Sequence, residues 1–340
     1  MELTKITQTL LDKNASHGEL LRVVHELSAF FEQYSFISTK MSRYELSKDA
    51  IHTYLDSGIA ISPLDAAICT HEYLRTAKYI RAVFEALNDL LMKFQDQEIN
   101  LLYAGCGPYG TLVIPLLSFF DSKRLKVTFL DIHRSSLNSI QNIIQALGLE
   151  DFVKGYIQED ATLYQSPQDL HIIVTETMKA AFDNEPQVAI TLNLLPQLLK
   201  GGVFLPQRVV VGFELAITKH QQENGYIKKT KQSKPLCTVI DFDTTKELKK
   251  ENVIATKIFQ VSKKVNQKMA PFFTTTIYIY KEHVLKENES SLNIPKKIKF
   301  SKTLSKNDRV SFVYDFGAKP TIGYSLNASP DIYQNKASYV

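Results

Sequence analysis

The chain has 340 residues, 44% hydrophobic and 22% charged, with a formal net charge of +4. That length allows two domains and at least one sizeable core, and the composition is ordinary for a soluble globular protein, not a disordered or fibrous one. So small a net charge does not by itself argue for nucleic acid, which is not the expected partner, and no stretch approaches the ~18 apolar residues of a membrane-spanning helix.

Residues 1–50 read as helices. In "ELLRVVHELSAFFEQY", Leu20, Leu21, Val24, Leu27, Phe30 and Phe31 fall on one stripe. The opening "MELTKITQTLLDKN" carries charges throughout and is not read as a signal peptide. "DSGIAISP", with Gly58 and Pro63, reads as a break, and one further helix is expected from Leu64 to about residue 94. The texture then changes. "INLLYAGCGPYGTLVIPLLSFF" predicts a buried strand, a glycine-rich turn and an apolar helix. "LKVTFLDIH" is a second strand, and "SSLNSIQNIIQALGL" a helix with Ser135 or Ser136 as its cap. "FVKGYIQED" and "LHIIVTE" are the third and fourth strands, followed by a helix, a turn at Gly201–Gly202 and a return into strand. Alternating strands and helices predict an α/β, Rossmann-like domain with a parallel sheet. After about residue 207 the pattern becomes β-rich with polar turns, which predicts an antiparallel sandwich or barrel. The expected organisation is a helical cap or lid over 1–94, a ligand-binding α/β domain over 95–207 and a β domain over 208–340.

Cys69, Cys106 and Cys237 are widely spread, so neither a zinc site nor a disulfide framework is expected, no metal is assigned, and a reduced cytoplasmic compartment follows by default. The late lysine runs, such as "IKKTKQSK" and "NIPKKIKFSK", read as solvated loops and strand edges.

"GCGPYG" stands between strand and helix, where glycines let backbone N–H groups approach an anionic or polar ligand. Both dinucleotides and S-adenosylmethionine (SAM) are held at such turns. Asp131, ending the second strand, can bond a ribose diol or cap the next helix. Asp160 and Ala161, at the end of the third strand, share the crevice, and an acceptor for an adenine amino group there suits SAM. Glu176, ending the fourth strand, and Glu185, nine residues later, are either solvated loop acids or a pair that grips a cation; Glu185-Pro186 could also open the next helix.

The glycine turn, Asp131, "EDA" and the later "LKGGVFLP" resemble class I SAM-dependent methyltransferases over about residues 98–215. Within them the chain resembles the protein arginine methyltransferases. These carry a double-Glu loop of the form S-E-x-M with a second Glu nine residues after the first, matched by "TETM" with Glu176, Met178 and Glu185. They also carry an Arg-Thr pair followed by an aromatic, matched by Arg75, Thr76 and Tyr79, and they end in a β-barrel domain. The resemblance covers about residues 60–325. It implies that SAM is held by Arg75, Tyr103, Gly105, Gly107, Asp131, Ile132, Asp160, Ala161 and Glu176, with Arg75 on its carboxylate. It implies that Glu176 and Glu185 hold the acceptor, a small molecule or a peptide, and that a homodimer forms. Met178 is expected along the acceptor pocket and 55–73 as a lid over the donor; Tyr73, Tyr79 and His71 could line the pocket, with core packing the better expectation for any single aromatic there.

The double-Glu chemistry has its own physical reason. A guanidinium stays protonated in water, its pKa above ~12, with the charge spread over three nitrogens. Two carboxylates can grip its planar fork, draw positive charge to the nitrogens they touch and leave the third better able to attack. Two elements depart from the family. Its Thr-His-Trp loop has no counterpart, since the chain has no Trp and "KMAPFFTTTIYIY" occupies that region, and its N-terminal Met is Cys69 here. The leading expectation is a guanidine N-methyltransferase with a small acceptor. The rivals are a natural-product methyltransferase acting on another N or O nucleophile and a SAM-fold protein that binds without catalysis.

Overall fold

A computed structural model describes residues 2–40, 48–220 and 227–327. Residues 41–47 of the expected helical stretch, and 328–340 of the expected β domain, lie outside the described residues. The chain starts with α1 (Glu2–Leu11) and α2 (His17–Glu32), the latter begun by a capping box in which Ser16 and Glu19 bond each other's backbone N–H. The expected break at "DSGIAISP" is a small β-hairpin, β1 (Thr53–Leu55) with β2 (Gly58–Ala60). The single helix expected after it is two, α3 (Pro63–Cys69) and α4 (Tyr73–Lys93). Between them the Thr76 hydroxyl donates to the Thr70 carbonyl at 2.9 Å, taking the place of a helical N–H.

The α/β domain follows as β3 (Ile99–Ala104), α5 (Ile114–Leu117), β4 (Leu125–Asp131), α6 (Arg134–Leu147), β5 (Val153–Gln158), β6 (Leu170–Thr175), α7 (Gln187–Leu194) and β7 (Leu198–Leu205). The strands pair in parallel in the order β5-β4-β3-β6-β7. The central strands β3, β4 and β6 are buried along nearly their whole length, as a sheet covered on both sides requires. Strand order reverses between β3 and β6, and that switch point opens a crevice at the carboxyl ends.

Three local expectations change here. The apolar helix after the glycine turn shrinks to the four residues of α5, because Pro115 has no N–H to donate and neighbouring residues close three-residue turns instead. Ser135 and Ser136 lie inside α6, whose N-cap is His133 with no side-chain cap bond. Gly201 and Gly202 lie within β7 and make no turn; a Cβ on Gly202 would sit 2.7 Å from the His171 carbonyl oxygen on the neighbouring strand.

The β domain comprises β8 (Arg208–His220), β9 (Ile227–Asp243), α8 (Lys250–Ile254), β10 (Lys257–Gln260), β11 (Met269–Tyr280), β12 (His283–Leu285), β13 (Lys296–Lys297), β14 (Arg309–Asp315) and β15 (Thr321–Leu326). One antiparallel sheet runs β12-β11-β8-β9 with β13 on β11, and the other runs β10-β14-β15. Phe213 and Phe273 from the first meet Phe312 from the second, with ring centroids 5.0 and 5.8 Å apart. Helix α4 ties this domain to the rest. Tyr280 donates to Asp89 at 2.7 Å, and Lys78 donates to the Val284 carbonyl at 2.9 Å. Those bonds bring the connection after β12 beside Arg75. Among the described residues no helix is long and apolar enough to cross a membrane.

Candidate active site

A cavity of about 440 Å³ opens at the carboxyl ends of β3, β4, β5 and β6, a size suited to a cofactor or small ligand. Its floor is the glycine turn. Gly105 and Gly107 have φ of 68° and 61°, the left-handed region that glycine occupies without cost, and a side chain on Gly105 would strike that of Thr177. Asp131 is buried, and its carboxylate accepts the Gly107 N–H at 2.9 Å and the His133 N–H at 2.8 Å. It braces the turn and does not cap α6. Tyr103, Ile132 and Ala161 line the same wall. Asp160 also lines it, and one of its oxygens accepts the Thr162 N–H at 2.8 Å. Burial and the charge of Asp131 hold the Cys106 thiol well above its ordinary range, so it is a neutral filler there. The buried Ser136 hydroxyl faces this part of the cavity and has no hydrogen-bond partner among the described residues.

On the opposite wall, Glu176 follows β6 directly. One of its oxygens pairs with Arg75 Nη2; the other, Oε1, is buried with no hydrogen-bond partner among the described residues. Arg75 also lies 3.2 Å from Glu72 Oε2, and Glu72 Oε1 accepts the Ser291 N–H at 3.0 Å. Acid, arginine, acid and β-domain backbone thus form one chain of contacts.

The loop from Glu176 to Glu185 is bent back by three non-glycine residues in the left-handed region: Ala181, Phe182 and Asn184, with φ of 59°, 55° and 63°. Its surroundings hold it there. Ala181 N–H donates to the Thr275 hydroxyl at 2.9 Å, and the fully buried Phe182 ring packs against Phe242 and Tyr314. Asn184 N–H donates to the Pro320 carbonyl at 2.6 Å, and Ile59 N–H donates to the Asn184 carbonyl at 2.7 Å. The β1–β2 hairpin therefore closes directly onto the second glutamate's loop. Gly58 makes this fit, since a Cβ there would sit 2.9 Å from the Asn184 oxygen.

Glu185 is only 6% exposed and lines the cavity. Burial pushes its carboxyl up to about 7, against the opposing pull of Lys179 and Arg75. It does not cap α7, whose N-cap is Pro186 with no side-chain bond.

All the residues expected on the donor line this one cavity, as do Glu185 and the buried Met178. Tyr73, Tyr79 and His71 do not. The Tyr73 hydroxyl meets His17 at 3.2 Å, His71 meets Ser28 at 2.9 Å, and Tyr79 is buried in the core under α4. His71, in the turn before α4, and Tyr73, at its start, face α2, while Tyr79 shares the face of Arg75 but is wholly buried. The lid contributes Leu55, Ile59, Pro63, Asp65 and Cys69 to the cavity. The β domain contributes Ser291 and Leu292; no residue of β11, which contains "MAPFFTTTIYIY", lines it. Several site residues escape a linear reading. Glu72 had a signal, its i,i+3 spacing to Arg75. Lys179, Ser291 and the 3.0 Å contact between Thr53 and His133 that latches the lid to α6 had none. Among the described residues one group, Glu85, Glu282 and His283, has spacing for a metal ion, but Lys281 and Lys13 already pair with its carboxylates.

The chain thus combines a parallel sheet with a carboxyl-edge cavity, a helical lid ahead of it and an antiparallel β domain behind it. No protein-family model matches the chain, and no curated protein matches it. Among solved structures it is similar to the PRMT1 enzyme–prozyme heterotetrameric complex of Trypanosoma brucei with AdoHcy, at 14% identity and TM-score 0.53, covering 77% of this chain and 92% of that one. It is also similar to protein arginine methyltransferase 10 of Arabidopsis thaliana, at 12% identity and TM-score 0.49, covering 75% and 95%. At 14% identity the likeness to the first speaks for the fold alone.

Proposed function

We propose that the chain is a SAM-dependent N-methyltransferase whose acceptor is a guanidino group. One observation carries this reading: the glycine rim and two glutamates nine residues apart, Glu176 half-buried and Glu185 buried, converge on the same cavity. The residues fit the donor. The cavity has the volume, the rim has room for close backbone approach, and the Ser136 hydroxyl and Glu176 Oε1 are buried without partners. Arg75, Tyr103, Gly105, Gly107, Asp131, Ile132, Asp160 and Ala161 would hold it, and it would supply an electrophilic methyl group. The domain division read from the sequence belongs to the same proposal.

Glu176 has one oxygen fixed by Arg75 and one without a partner, so it can accept from a guanidinium N–H while remaining oriented. Glu185 faces the same space with a proton affinity set by burial. A guanidinium arriving within ~4–6 Å favours its ionised form, so binding should expel that proton. With the cation held, both carboxylates draw charge toward the nitrogens they touch. Glu185, titrating near neutrality, then suits the removal of a proton from the methylated nitrogen. The same property favours a second reading, in which Glu185 is the general base for a neutral amine or hydroxyl acceptor.

Incubation with labelled SAM and a panel of guanidines, amines and alcohols, read by mass spectrometry, tests both. Label on a guanidine nitrogen supports the first reading, and label only on amines or hydroxyls supports the second. Donor binding with no transfer to any acceptor would leave a binding protein.

A further inference from the structure

The loop that carries both glutamates also carries a cation. Lys179 follows the buried Met178, lines the cavity and is exposed at its mouth. Its backbone is fixed, because its carbonyl accepts the Phe182 N–H at 3.0 Å in the bend that the β domain clamps. No carboxylate among the described residues pairs with its ammonium. Elsewhere on the loop the charges are matched: Asp183 is neutralised by Lys296 at 2.6 Å, and Glu176 by Arg75. Of the charges acting on Glu185, that of Lys179 is the strongest.

A lysine beside an acidic cation trap is unfavourable for a ligand that brings only positive charge. It repels a guanidinium, and it repels an arginine- or lysine-rich peptide more. It becomes favourable when the ligand brings an anion of its own. Resting on the reading above, we infer that Lys179 is the acceptor's anion site, and that the acceptor is a guanidine carrying a carboxylate. The guanidinium sits between Glu176 and Glu185, an aliphatic stem runs past Met178, and the carboxylate reaches the Lys179 ammonium. A free amino acid has this chemistry, as does the C-terminal residue of a peptide. An arginine inside a peptide lacks it.

The test measures kcat and KM, and binding by calorimetry, for four acceptors. These are arginine, agmatine (the same guanidine without the carboxylate), a dipeptide ending in arginine and a peptide with an internal arginine. Wild type is compared with Lys179→Ala and Lys179→Arg, with thermal unfolding as the check on folding. Because Lys179 is exposed, the preference of wild type for arginine over agmatine is expected to be about 10-fold in kcat/KM, mostly in KM. Lys179→Ala should bring that ratio close to one, and Lys179→Arg should keep it. Arginine ahead of the dipeptide, or level with it, separates the two sources of the carboxylate, and either outcome supports the site. Agmatine or the internal arginine used as well as arginine overturns this inference and leaves the guanidine reading standing. So does a Lys179→Ala variant that loses affinity for S-adenosylhomocysteine in place of arginine. A panel in which no guanidine is methylated overturns both.

Discussion

The two walls of the cavity are built on opposite principles. On the donor side, backbone with positive φ belongs to glycines, and the Asp131 carboxylate is met by two backbone N–H groups. On the acceptor side, positive φ falls on Ala181, Phe182 and Asn184, one oxygen of Glu176 lacks a partner, and Glu185 is buried with a raised proton affinity. The first wall carries no such strain, and its unmet demand is the Ser136 hydroxyl, which has no partner among the described residues. The second holds strain, at ~1–3 kcal/mol for each such residue, and unmet polar demand that only packing against the lid and the β domain can maintain. A guanidinium would meet the Glu176 oxygen that has no partner among the described residues. Receptor sites for cations gain affinity by being left electrostatically incomplete.

The sharpest way to break this contrast is to remove the unmet demand. Glu176→Gln keeps the shape and loses the charge, and turnover of the acceptor should fall at least ~10²-fold, as for other groups that stabilise developing charge. Donor affinity, measured by calorimetry, should move far less. An equal loss in both would mean that the two walls are not separate.

The pH dependence of stability comes next. The Glu185 carboxyl titrates at about 7 in the folded chain against 4.5 when unperturbed, so the folded state holds its proton more tightly. The stabilisation from that proton is full below about pH 4.5 and is lost as pH rises through about 7, amounting to something on the order of 3 kcal/mol. Thermal unfolding of ligand-free protein between pH 5 and 8.5 should therefore show Glu185→Gln gaining on wild type as pH rises. Parallel curves would remove the buried charge from the account.

On the donor wall, Asp131→Ala loses one hydrogen bond to the glycine rim and one to the His133 N–H, and should weaken donor binding by about 10- to 100-fold. Binding as tight as wild type would mean that the donor's ribose lies elsewhere. The smallest effect is expected at the lid. Thr53→Val removes the hydroxyl that meets His133, a single part-buried contact of about 1 kcal/mol, and should raise protease sensitivity around the β1–β2 hairpin with only a modest rise in KM. Unchanged cleavage would show that the hairpin is held by Gly58 and the Ile59–Asn184 bond alone.

Much of the donor wall was legible because its signals are short-range. A strand, a glycine turn and an acid at the end of the next strand lie within about thirty residues, and hydrophobic periodicity alone orders them. The spacing of Glu176 and Glu185 was legible for the same reason. Their environment was not. The lid hairpin failed to register because β1 and β2 are three residues each, too short for a period, and exist through a bond from Ile59 to a loop more than a hundred residues away. Tyr73 and Tyr79 stay out of the cavity, as core packing of such aromatics leads one to expect: Tyr73 meets His17 of α2, and Tyr79 is buried in the core. The double glycine was misread as a turn because the need for a bare Cα at Gly202 comes from His171 on the neighbouring strand.

By itself, then, the sequence determined the α/β order, the glycine rim with Asp131 and the interval between the two glutamates, since each depends on contacts made within a few turns of chain. Tertiary structure alone decided that both glutamates line one cavity, that Glu176 pairs with Arg75, which also meets Glu72, while the buried Glu185 holds its proton to about pH 7, and that Lys179 and Ser291 share that cavity. Burial and charge pairing depend on what the rest of the fold packs against a residue, and no local pattern of side chains records that.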